Sequence, residues 1–124
     1  MPRLIIAGSR AFRSYRFLEI AVDAFVEECG IDLADLTVIS GVAAGADILG
    51  EVWAKNRGMP IEHYKPEWKQ FGKAAGPKRN EQMAQTATHC IVFPIKGHSI
   101  GSYDMIRRAQ AHNLITKVME TEIW

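Results

Sequence analysis

No run in these 124 residues approaches the ~18–20 consecutive apolar positions that a membrane-spanning helix needs. The chain opens on a strand-like run, Leu4–Ala7, where a secretory signal would stand, so no such signal is expected. Cysteine is scarce. Cys29 and Cys90 both sit inside apolar patterns without metal-ligand spacing, so buried, reduced thiols and a cytoplasmic location are the expectation. His63, His89, His98 and His112 form no H-x-x-x-H or H-E-x-x-H pattern, which leaves metal ligation without support. Spacing alone assembles no serine–histidine–acid set. No repeat, low-complexity tract or composition break divides the chain, so residues 1–124 are expected to form one domain without a cofactor. A net charge of only +1 argues against bulk affinity for nucleic acid.

What is present is an ordinary globular composition, 48% hydrophobic and 23% charged, at a length that buries about two-thirds of the unfolded surface. The charge is polarised. Arg3, Arg10, Arg13 and Arg16 have no acid among them, and Lys65, Lys69, Lys73, Lys78 and Arg79 have only Glu67. Six of the fourteen acids fall instead between Glu19 and Asp35.

Three short apolar runs, Leu4–Ala7, Val38–Ile39 and Cys90–Phe93, each stop at a loop of glycine and small polar residues. The loops are GSRAF (Gly8–Phe12), SGVAAGAD (Ser40–Asp47) and KGHSIGSYD (Lys96–Asp104), and a helical pattern follows each. Helix N-termini carry unpaired N–H groups and partial positive charge, so convergence of such loops suits an anion, phosphate above all. The periodicity predicts strands at 3–7, 37–40, 61–64, 89–94 and 115–119. Helices are predicted over 14–29, 46–57, 77–86 and 102–111, with Pro77 in a first helical position. Lys65–Gly76 reads as a long loop with room for one helical turn, and long loops in compact domains are often functional. Alternating strands and helices imply a parallel sheet covered on both faces. Ligands then sit beyond the carboxyl ends of the strands, where all three glycine loops and the basic loop after strand three fall.

The combination of IIAGSRAF, VISGVAAGAD, WKQFGKAAGPKRNEQM and FPIKGHSIGSYDM resembles the YspA-like branch of the SLOG superfamily, in the right order from Leu4 to about Ala109. That superfamily includes the LOG-type phosphoribohydrolases and the DNA-processing protein of natural transformation. The resemblance implies a Rossmann-like α/β three-layer sandwich with a five-stranded parallel sheet of order 3-2-1-4-5. It also implies a nucleotide or nucleotide-derived ligand, and a homo-oligomer.

In the first loop Gly8 allows close approach, Ser9 offers a hydroxyl, and Arg10 either grips a phosphate in two places or stays solvated. Ser40, Gly41 and Gly45 would line a backbone cradle. Asp47 reads equally as a contact to a ribose hydroxyl or as a helix-dipole residue. Trp68 and Phe71 flank a lysine-rich loop ending in Lys73. Trp68 stacks on a base or pins its loop to the core. Arg79 and Met83 match the R-x-x-x-M context of the LOG-type catalytic arginine, with Asn80 beside it.

Gly97, Ser99, Gly101 and Ser102 resemble the superfamily's phosphate signature, with His98 in the same loop, whereas Arg107 and Arg108 read as a solvated helix face. Three residues after Ser102, where the LOG signature has its catalytic glutamate, stands Met105. Asp104 leaves the helix about 100° away. Cleaving an N-glycosidic bond needs a carboxylate near the oxocarbenium-like transition state. The favoured expectation is therefore a non-catalytic sensor or sequestering module for an ADP-ribose-like or cyclic nucleotide. A phosphoribohydrolase using Arg79 with Asp104 is the first alternative, and single-stranded DNA binding the second.

Overall fold

A computed structural model describes residues 1–122. Strands β1 (Arg3–Gly8), β2 (Thr37–Ser40), β3 (Ile61–His63), β4 (His89–Phe93) and β5 (Ile115–Val118) form one sheet in the order β3-β2-β1-β4-β5. Every neighbouring pair is parallel. Helices α1 (Tyr15–Glu28), α2 (Ala46–Asn56), α3 (Trp68–Phe71), α4 (Ala75–Thr86) and α5 (Ile100–Ala111) make the connections. This is the expected Rossmann-like α/β fold.

Central strands covered on both faces read as unbroken apolar runs because alternate side chains serve opposite layers. In β1, Leu4 and Ile6 enter one core with Leu18, Val22, Phe25 and Val26 of α1 and with Trp53 of α2. Ile5 and Ala7 enter the other, with Met83 of α4 and Met105 and Ala109 of α5. Helix α1 places Leu18, Ala21, Val22, Phe25 and Val26 on one buried stripe. Ser14 caps it by accepting the Phe17 N–H at 3.3 Å. Trp53 is wholly buried, and its indole N–H donates to Asp23 at 2.9 Å. Arg57 stacks on that ring at 4.7 Å and pairs with Glu19 and Asp23, tying α2 to α1.

The structure moves two helix starts, each by two residues. Helix α4 starts at Ala75, so Pro77 lies inside its first turn, where a missing N–H costs nothing. Helix α5 starts at Ile100 rather than Ser102. The segment read as a long loop holds one helical turn, α3, followed by a 3-10 turn over Gly72–Ala74. Among the described residues no helix is long and apolar enough to cross a membrane, and no group of three or more potential ligands could hold a metal.

Gly45, the residue before α2, adopts φ +80, and a Cβ there would lie 2.2 Å from the Ser9 carbonyl oxygen. Gly58 adopts φ +69 with open space around it. Gly45→Ala is expected to cost more than about 2 kcal/mol, combining a forbidden backbone region with a backbone clash, against about 1 kcal/mol for Gly58→Ala. Urea midpoints of the two variants measure the difference. Equal losses would mean that the close approach to Ser9 constrains nothing.

Candidate functional site

At the carboxyl edge of the sheet a cleft of about 520 Å³ opens between the β1, β2 and β4 loops, α3, α4 and α5. Gly8, Ser9, Arg10, Asp47, Trp68, Lys73, Arg79, Asn80, His98, Ser99, Gly101 and Ser102 all line it. Ser40, Gly41, Gly45 and Gly97 stand outside the lining. Of the two basic stretches, Arg10, Lys73 and Arg79 reach the cleft. Arg3 instead pairs with Glu62 at 2.7 Å, and Arg16 with Glu19 at 3.2 Å.

The residues outside the lining support it from behind. The Ser40 hydroxyl donates to Glu51 at 2.6 Å and accepts the Val42 N–H at 3.1 Å, and Glu51 also faces His63 Nε2 at 3.2 Å. The Gly41 carbonyl accepts from Arg79 Nη1. Gly45 lets the start of α2 press against the β1 loop, where the Ala46 N–H donates to the Ser9 carbonyl at 3.3 Å. Gly97, at φ +82, turns the chain into His98.

The three helix N-termini are therefore not equivalent. Helix α1 is closed by Ser14, and α2 carries Asp47 in its first turn. Helix α5 has no side-chain cap, because the Ser99 hydroxyl accepts the Ile95 N–H at 2.8 Å instead. Ser102 in its first turn lines the cleft, and its buried hydroxyl has no hydrogen-bond partner among the described residues. A buried hydroxyl left unpaired costs free energy that an anionic oxygen would recover.

Arg79 is 8% exposed and Asn80 5%. Arg79 Nε donates to Asn80 Oδ1 at 2.9 Å, and Asn80 Nδ2 donates to Asp104 at 3.0 Å and to the Gly101 carbonyl at 3.3 Å. Asp104 also accepts from Arg108 at 2.9 Å and meets Arg107 at 3.5 Å. Burial lowers the pKa of Arg79, while Asp47 and Asp104 nearby oppose the shift. On the outer wall the Arg10 guanidinium lies 5.9 Å from the ring centroid of Trp68, which is half exposed. Phe71 is covered by Lys78 at 4.7 Å and lies outside the lining.

A family model described as YspA, cpYpsA-related SLOG family matches residues 2–71. The chain belongs to this SLOG family. It is also similar to the gene 61 protein of Mycobacterium phage D29, with 33% identity over 116 residues, spanning 89% of this chain and 90% of that one. The X-ray structure of DNA processing protein A from Streptococcus pneumoniae superposes with a TM-score of 0.71 at 18% identity. That likeness covers 95% of this chain and 50% of the other, so the chain spans about half that protein's length.

The cleft of this SLOG chain is also lined by residues that the sequence did not assign to a ligand. Met83 and Met105 form apolar floor, Ala43 and Pro77 complete the walls, and Ile100 stands 89% exposed at the rim. The proximity of Ile100 to the loop glycines was its available signal. Arg107 lies on the expected solvated face, 68% exposed, and also lines the mouth of the cleft, 3.5 Å from Asp104.

Asp47 is 4% exposed and accepts the Ala43 N–H at 3.2 Å. Burial pushes its pKa up to about 6, against the opposing pull of the Ala43 and Gly8 N–H groups and the Arg79 charge. A folded-state pKa above the unfolded one favours folding at low pH, and that contribution disappears as pH rises through about 6. The stability of wild type relative to Asp47→Asn should therefore fall between pH 4 and pH 7, by up to about 3 kcal/mol, and then level off. Chemical denaturation of both proteins across that range tests this. A difference independent of pH would show that Asp47 titrates normally.

Proposed function

We propose that the cleft binds a nucleotide or nucleotide-derived signal, ADP-ribose-like or cyclic, and holds it without cleaving it, as a sensor or sequestering module. The observation that carries this reading is the uncapped first turn of α5, with the unpartnered Ser102 hydroxyl at the cleft wall. A phosphate there would accept from Ser102 and from the first N–H groups of the helix, and favour the positive end of its dipole. Arg10 and Lys73 add charge, the half-exposed Trp68 ring offers a flat face, and the methionines supply apolar floor. About 520 Å³ is within the usual range for small-molecule sites.

The hydrogen-bond chain from Arg79 through Asn80 to Asp104 is what favours the phosphoribohydrolase alternative. Against it, the charge of Asp104 is already met by Arg108 and Arg107. Incubation with nucleoside monophosphates and ADP-ribose should release no free base, and release abolished by Arg79→Ala would favour the hydrolase. Single-stranded DNA is disfavoured by the net charge of +1 and by the pairing of Arg57, Arg107 and Arg108 with carboxylates.

Thermal shift with AMP, cyclic AMP and ADP-ribose tests the main reading. Stabilisation by at least one is expected, and none by any anionic nucleotide would refute it. Ser102→Ala should weaken binding by about two- to tenfold, the worth of one hydrogen bond of about 0.5–1.5 kcal/mol. Trp68→Ala should cost about 1–3 kcal/mol for nucleotides and little for ribose 5-phosphate, which has no base to stack.

A further inference from the structure

Arg79 and Asn80 lie between the β2 loop and the first turn of α5. Arg79 donates to the Gly41 carbonyl on one side and to Asn80 Oδ1 on the other. Asn80 passes the connection on, because its oxygen can only accept and its Nδ2 can only donate, here to Gly101 and Asp104. The β2 loop needs such a hold. Its next residue, Val42, is β-branched and adopts φ +64, a left-handed conformation that persists only where the surroundings enforce it. Turning Arg79 outward to a ligand would strand the buried Gly41 carbonyl and the Asn80 amide oxygen.

We propose that Arg79 and Asn80 are positioning residues that fix the separation of the β2 loop and the α5 N-terminus and act on the ligand only through those two loops. The inference rests on the cleft being a nucleotide site, and it assigns Arg79 a role other than ligand contact. A ligand that spans both loops then meets a preformed distance and does not have to order the loops itself, the gain expected of preorganisation.

Amide hydrogen exchange on the full chain tests the link without any ligand. Asn80→Ala removes both the acceptor and the donor, so residues 41–46 and 99–104 should both exchange faster, by about tenfold or more, while β1 and β4 keep wild-type rates. Asn80→Asp keeps the acceptor for Arg79 and loses the donor, so only 99–104 should accelerate. Arg79→Lys loses the fork and spares the Asn80 bonds to α5, so only 41–46 should accelerate. That crossed pattern is not what general destabilisation gives. The inference is overturned if Asn80→Ala leaves either loop at the wild-type rate. It is equally overturned if Asn80→Asp and Arg79→Lys, which remain informative where Asn80→Ala fails to fold, loosen the same residues. By calorimetry, Arg79→Lys should weaken ADP-ribose about tenfold and inorganic phosphate, small enough for the α5 terminus alone, less than about threefold. Equal losses for both would count against the inference. Failure of wild type to bind ADP-ribose or any other nucleotide would sink the preceding reading and leave the exchange result standing.

Discussion

The cleft depends on a place where three stretches of backbone meet with no side chain between them. The Ser9 N–H donates to the Phe93 carbonyl at 3.0 Å, and the Ser9 carbonyl accepts the Ala46 N–H at 3.3 Å. A Cβ on Gly8 would lie 2.4 Å from the Phe93 oxygen, and one on Gly45 would lie 2.2 Å from the Ser9 oxygen. The ends of β1 and β4 and the start of α2 are thus locked by contacts that only glycine permits. Phosphate-type glycine loops are commonly read as making room for a ligand. Here Gly8 and Gly45 make room for the protein's own backbone, and the ligand space is what remains above them.

That locking decides which polar groups are available. The start of α2 is used against Ser9, the Ala43 N–H goes to Asp47, and the Ser40 hydroxyl goes to Glu51. Each satisfied group removes one candidate from the cradle, because a buried donor with a good internal partner has little to gain from a ligand. Helix α5 escapes this accounting because Ser99 turns its hydroxyl back to Ile95 and leaves the helix uncapped. One saturated residue thus exposes the charge of a whole helix end. In the proposed reading, an anion would therefore be held at that end and not spread across three loops.

Much of the fold was legible because burial and periodicity coincide. LIIA and CIVF are continuous apolar runs since β1 and β4 are covered on both faces, and the α1 stripe repeats every three to four residues. The starts of α4 and α5, which no side chain caps, lie two residues before the predicted ones. The segment 65–76 carries no period, and its Trp68 meets a partner distant in sequence, Arg10. The same reason hid the work of Ser40 and Gly41. Their partners Glu51 and Arg79 lie eleven and thirty-eight residues away, a distance that spacing cannot bridge. Most of the lining was readable from motif types, but whether a motif residue faces the ligand or the scaffold was not.

Met105 stands on α5 where the LOG-type resemblance would put an acid, and the meaning of that lies in direction. Met105 is 1% exposed and packs with Ile5 and Val92 while also flooring the cleft. A carboxylate pointing the same way would sit over an apolar layer and require a cation or a polarised substrate to offset its burial. Asp104, about 100° around the helix, faces Asn80, Arg107 and Arg108. Moving the acid by one residue therefore moves it off the apolar floor and places it beside the Asn80 amide and two arginines. A carboxylate partnered in that way already has its negative charge met where an oxocarbenium-like centre would need it. Asp47 keeps the raised pKa that acid–base chemistry would ask for, yet it accepts a loop N–H at the foot of α2. The two carboxylates that line the cleft, Asp47 and Asp104, are thus both held by hydrogen bonds within the protein.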